Sequence, residues 1–123
     1  MINVNYTAKN IEEGIKIMMN CAKKDYERFH TSNGKKEIVP GSHGDTELKT
    51  YDSKTKVNHG KKYIKVVQGN TVFAFIVKED FKHFKKGDIL KPAGYNAPAL
   101  NSPRGNVLTG NYNIQWTGPL YLK

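Results

Sequence analysis

Between Ala8 and His30 the apolar residues Ile11, Ile15, Met18, Ala22, Tyr26 and Phe29 recur at spacings of 4, 3, 4, 4 and 3, which places them on one face of an α-helix. The local signals agree: Thr7 is an N-cap candidate, Glu12 and Glu13 favour the positive end of the helix dipole, and Lys23, Lys24, Arg28 and His30 favour the negative end. Asn33-Gly34 supplies a stop. At 1.5 Å per residue this helix would be roughly 35 Å long, about the diameter of a one-domain globule. It therefore either spans the domain or protrudes toward a partner. Gly14, Ile17, Cys21 and Arg28 lie at successive turns on a second face, which reads as a contact between copies of the chain or as a solvated face carrying one isoleucine.

The rest of the pattern is that of a sheet. Lys62–Gln68 and Thr71–Lys78 are β-branched and aromatic runs on either side of Gly69-Asn70, a strong hairpin signal. In the second run both Phe73, Phe75, Val77 and Val72, Ala74, Ile76 are apolar, so this strand is expected to be covered on both faces, with the long helix as one cover. Residues 34 to 60 read as a loop or ragged edge hairpin, with short extended stretches at Glu37–Val39 and Glu47–Tyr51. A turn over 80–87, a short strand at Asp88–Lys91 and a strand at Tyr112–Trp116 complete the expectation. The fold class that follows is α+β: one domain over 1–123, its long N-terminal helix (about 8–30) packed on an antiparallel β-sheet, with sheet and site loop over about 61–122.

Composition narrows the partners. Lys and Arg total 20 against 11 Asp and Glu, a net charge of +9, which points to an anionic partner. The single cysteine excludes an internal disulfide, and no stretch approaches the apolar length needed to cross a bilayer. With no basic start followed by an apolar run at the N-terminus, the expected location is the cytoplasm.

Catalytic signals are weak. His30, His43, His59 and His83 show no metal-ligand spacing, Cys21 sits mid-helix where a buried thiol is commonest, and no nucleophile elbow or phosphate-binding glycine loop is present. No cofactor is called for. The anion-binding candidates concentrate in residues 92–106, which hold three of the five prolines. Only two cations are arginines, Arg28 and Arg104, and an arginine among so many lysines suggests a planar fork for phosphate or base. Arg104 reads equally as a surface pair or helix-end cap. Gly105 would bring backbone close to a ligand, Asn96, Asn101 and Asn106 would offer amides to ribose or base, and Tyr95, Phe81 and Phe84 would stack or else fill the core. The lysine clusters Lys23-Lys24, Lys35-Lys36, Lys61-Lys62 and Lys82 with Lys85-Lys86 suggest nucleic acid or simply a solvated cationic surface.

The segment Gly87-Asp88-Ile89-Leu90-Lys91-Pro92-Ala93, Tyr95-Asn96-Ala97-Pro98-Ala99, Arg104-Gly105-Asn106-Val107 and Trp116-Thr117-Gly118-Pro119-Leu120-Tyr121-Leu122 resembles the first family of phage Thoeris anti-defence proteins. Over the N-terminal half the resemblance rests on layout and size. It implies a non-enzymatic sponge in the host bacterial cell that captures the cyclic ADP-ribose isomer made by bacterial TIR enzymes. It further implies a homo-oligomer, dimer or higher, that buries the signal at subunit junctions, and in some members a separate site for cyclic oligonucleotides. Arg104 and Gly105 would then hold phosphate, Asn96 and Asn106 ribose or base, Tyr95, Phe81 or Phe84 a ring, and Arg28 a second phosphate. The competing classes are a basic phage nucleic-acid-binding protein and a small phosphodiesterase using the scattered histidines.

Overall fold

The computed structural model describes residues 2–30, 40–41 and 43–119. In chain order the elements are β1 (Ile2–Val4), α1 (Ile11–His30), α2 (His43–Lys54), β2 (Thr55–His59), β3 (Tyr63–Gln68), β4 (Thr71–Val77), β5 (Ile89–Leu90), β6 (Tyr112–Gln115) and β7 (Gly118–Pro119). They form a four-stranded sheet, β2-β3-β4-β5, and a three-stranded sheet, β1-β6-β7, antiparallel throughout. The expected α+β domain with one long helix on antiparallel sheet is what the chain adopts.

α1 begins later than the sequence signals suggested. Its cap is Asn10, not Thr7: the Asn10 Oδ1 accepts the Glu13 N–H at 2.8 Å, while Glu13 Oε2 accepts the Lys9 N–H at 3.0 Å. Two amides at the helix start are thus satisfied by a reciprocal pair three residues apart, the logic of a capping box. At 20 residues the helix is about 30 Å long. Ile15, Met18 and Ala22 are buried as the stripe requires, but Phe29 is 60% exposed and leans on Trp116 at 5.1 Å. The second face is used within the chain. A Cβ on Gly14 would stand 2.4 Å from the Val107 carbonyl oxygen, Cys21 is buried in the same core, and Ile17 packs against it. Only Arg28 of that face is exposed. Burial pushes the Cys21 thiol up, away from the reactive thiolate.

β4 is the central strand, and both of its faces are covered. The register slips between Val66 and Val67, where Val66 pairs with Ala74 and Val67 with Val72, leaving Phe73 as the extra residue of a bulge. The two apolar sets are therefore regrouped. Phe73, Ala74 and Ile76 join the α1 stripe, Ile64, Val66 and Ile114 in the main core, while Val72, Phe75 and Val77 face a second cluster with Phe84 and Leu90. α1 reaches this core from the β1–β6 side and also touches α2.

Between α1 and the hairpin the outcome differs from expectation. Glu47–Tyr51 lies in helix α2 and not in an extended segment, and Glu37–Val39 and Asn33-Gly34 lie outside the described residues. α2 is rich in turn-forming polar residues whose hydroxyls bond back to its own carbonyls, Thr50 to Thr46 and Ser53 to Thr50, both at 2.8 Å. Tyr51, 4% exposed, ties it to the core. β2 is an edge strand whose only apolar residue, Val57, is itself exposed, so it carries no periodic signal. Among the described residues no helix is long and apolar enough to cross a membrane.

Replacing the cap should discriminate the two helix starts. Asn10→Ala is expected to cost about 1 kcal/mol of unfolding free energy and Thr7→Ala less than about 0.5, read as a shift in urea midpoint at unchanged slope.

Candidate functional site

Residues 92–106 form a loop that leaves β5 and whose C-terminal end is stitched back to it. The Ile89 N–H donates to the Gly105 carbonyl and the Arg104 N–H to the Ile89 carbonyl, both at 2.8 Å. Beneath this seam Asp88, 6% exposed, accepts the Lys85 N–H at 2.8 Å and the Asn106 side-chain amide at 2.9 Å. Asn106 also donates to the Lys86 carbonyl at 2.9 Å and accepts the Leu108 and Thr109 N–H groups at 2.8 and 3.3 Å. Its amide is fully committed inside the chain. Gly105 has φ +147°, and a Cβ there would stand 2.3 Å from that of Tyr112. Glycine at this position is explained by its positive φ and the approach of Tyr112, within the chain itself.

The Arg104 guanidinium donates to the Asn101 side-chain oxygen at 2.7 Å and to the Ser102 carbonyl at 3.0 Å, so it clasps its own loop. Lys91 lies close enough for the two cations to interact, and its ammonium donates to the Pro119 carbonyl at 3.0 Å. Partial burial lowers the pKa of both, and Arg104 lowers that of Lys91 further. Phe84 is 1% exposed and belongs to the second core cluster, which removes it as a stacking face. Phe81 is half-buried between Tyr63 and Phe84. Arg28 stands exposed in the last turn of α1, on a different element from every other candidate.

Two of the candidates, Tyr95 and Asn96, do come together, against residues of β3. Ile64 and Val66 take the inner face of β3, so Tyr63 and Lys65 take the outer one. The Lys65 ammonium sits 4.1 Å from the centre of the Tyr95 ring and donates to the Asn96 side-chain oxygen at 3.0 Å. Asn96, Lys65, Tyr63, Phe75, Lys61, Lys62, Asn58 and His59 line a shallow hollow of about 230 Å³. Lys62 also approaches the Phe81 ring at 5.7 Å. Three lysines, two of them over aromatic rings and one bonded to the Asn96 amide, suit a ligand that is anionic at one end and flat at the other.

A second concavity, about 270 Å³, is lined by Tyr26, Tyr51, Phe73, Trp116, Gln68, Thr71 and Thr117. None of the sequence-level candidates lies in it. The β4 bulge brings in Phe73, and the chain returns through β6 to bring in Trp116, whose backbone N–H donates to the buried Asp25 carboxylate at 2.9 Å. The Tyr51 hydroxyl is buried without a hydrogen-bond partner, and the Gln68 amide beside it donates instead to the Tyr51 carbonyl and the Thr55 hydroxyl. Burial pushes the Tyr51 pKa far above its ordinary value, the nearby Gln68 side chain working against it and Asp52, Tyr26 and Asp25 adding to it. The one usable signal in the sequence was the lone tryptophan beside Thr117-Gly118-Pro119. Among the described residues no three His, Cys, Asp or Glu side chains gather as metal ligands.

A family model described as "Family of unknown function (DUF7717)" matches residues 2–122. The chain belongs to this family. No curated protein and no solved structure matches it. The DUF7717 model runs through both sheets and both concavities, so neither is an appendage outside the family's unit.

Gly105→Ala should destabilise the fold by about 2 to 4 kcal/mol through backbone strain and overlap with Tyr112. Gly94→Ala, in the same loop but with nothing within 4 Å of the added Cβ, should stay within about 0.5 kcal/mol, thermal unfolding of the two proteins providing the comparison.

Proposed function

We propose that this protein is a non-catalytic binder of a small anionic, ring-bearing ligand of the nucleotide class, held in the hollow between the β3 face and the 92–106 loop. The observation that carries the reading is the Lys65 ammonium, held between the Tyr95 ring and the Asn96 amide beside Lys61 and Lys62. Phosphate would meet the lysines, and a base or ribose would meet Tyr95, Tyr63 and Asn96. The ligand we infer is a cyclic ADP-ribose isomer, sequestered without cleavage in the host cytoplasm, as the resemblance of the C-terminal segment to Thoeris anti-defence proteins implies. Because the hollow is shallow and Tyr95 is 58% exposed, tight retention calls for a second copy of the chain to close over it and exclude water.

The test is to incubate the protein with a cyclic ADP-ribose isomer, remove free ligand, denature by heat and identify what is released. Intact ligand supports sequestration, degraded ligand replaces it with a phosphodiesterase, and no retained ligand rejects both. A Lys62→Ala/Lys65→Ala double variant should lose at least about tenfold in affinity, roughly two charge-assisted contacts, with its melting temperature unchanged. Arg104→Ala should act mainly on stability by releasing the loop clasp. Binding to duplex DNA that weakens with salt at a slope of about −0.9 per phosphate, in place of small-ligand retention, would favour the nucleic-acid reading.

A further inference from the structure

We propose that the aromatic pocket between α1, α2, the β4 bulge and the β6–β7 turn is a second site, independent of the nucleotide reading, and that it takes the methylated ammonium head of a small quaternary amine. Its walls are the rings of Tyr26, Tyr51, Phe73 and Trp116. Neighbouring walls are tilted: Tyr26 and Trp116 have centres 5.0 Å apart and planes at 42°, and Tyr26 and Tyr51 are 6.1 Å apart at 38°. A flat heterocycle is best held on one open face or between two nearly parallel ones. Tilted faces instead form a corner, which suits a rounded group touching several ring faces at once.

Two carboxylates lie within electrostatic reach of the corner. Asp25, 6% exposed, keeps its carboxylate directly behind Trp116 by accepting that residue's N–H, and Asp52 follows Tyr51 on α2. Lys23 lies 3.3 Å from Asp52 and offsets part of its charge, while Lys54 and Lys56 line an adjoining cleft beyond Gln68 and Thr71. The cavity of about 270 Å³ leaves room for a short polar tail beside Thr71 and Thr117. A tail bearing a hydroxyl or carboxylate would supply the partner that the Tyr51 hydroxyl lacks.

Trp116 is the chain's single tryptophan, so its fluorescence reports the site directly. Titration with choline should give a saturable change, and 3,3-dimethylbutan-1-ol, the uncharged analogue of the same shape, should bind at least about fivefold more weakly, the cation–π and charge contribution being absent. Tyr26→Phe should retain choline binding and Tyr26→Leu should lose it by a similar factor. If the leucine variant does not fold, the comparison of charged and uncharged ligands on the unaltered protein decides alone. Equal binding of the two, no saturation by choline, or tighter saturation by a neutral flat ring such as adenine would overturn the proposal. None of these outcomes bears on whether the lysine hollow holds a nucleotide.

Discussion

The burial of β4 on both faces is the constraint from which the rest of the architecture follows. A strand whose every residue from Val72 to Val77 is buried leaves no face for water, so two covers are obligatory. α1 and the small β1-β6-β7 sheet provide one, and the 81–90 segment with Phe84 and Leu90 provides the other. The bulge at Phe73 serves this arrangement. By putting two consecutive side chains, Phe73 and Ala74, on the helix side, it widens the main core and turns the end of the strand toward α2 and Trp116.

The long proline-punctuated loop is a different kind of structure. It contains no helix or strand, yet it is held by backbone bonds to β5 and by the buried Asp88–Asn106 pair. Residue types suited to ligand binding, an arginine, a glycine and an asparagine in sequence, are here occupied with closing the loop. The same chemistry that makes Arg and Asn good at holding phosphate and ribose makes them good at satisfying the carbonyls and amides of a loop without secondary structure. What the loop offers outward is its other end, where Tyr95 and Asn96 meet Lys65 across from β3.

Charge is likewise unevenly used. The lysines of β3 and the turn before it gather around exposed rings, whereas Asp25 and Asp52 flank the tilted aromatic corner at the far end of α1. The two concavities thus differ in the groups beside them and in the shape of their walls.

Sequence alone determined the helix, the hairpin and the two-sided burial of β4, because each is written as a local period of apolar residues: 3.6 in Ile11 to Tyr26, and an unbroken run in Thr71 to Val77. It could not show α2, whose residues are polar and turn-forming and whose helix rests on the burial of Tyr51, nor β1 and β2, which are short or at an edge and owe their extension to partners. The sites were still less legible. Residue chemistry singled out Tyr95 and Asn96, which the fold brings against Lys65, but whether Arg104, Gly105, Asn106 and Phe84 face outward or the protein interior depends on neighbours such as Tyr112, Asp88 and Asn101. The aromatic corner depends on tertiary structure entirely. Its walls lie as far apart as Tyr26 and Trp116, and only the packing of α1 against the returning β6 brings them within 5.0 Å.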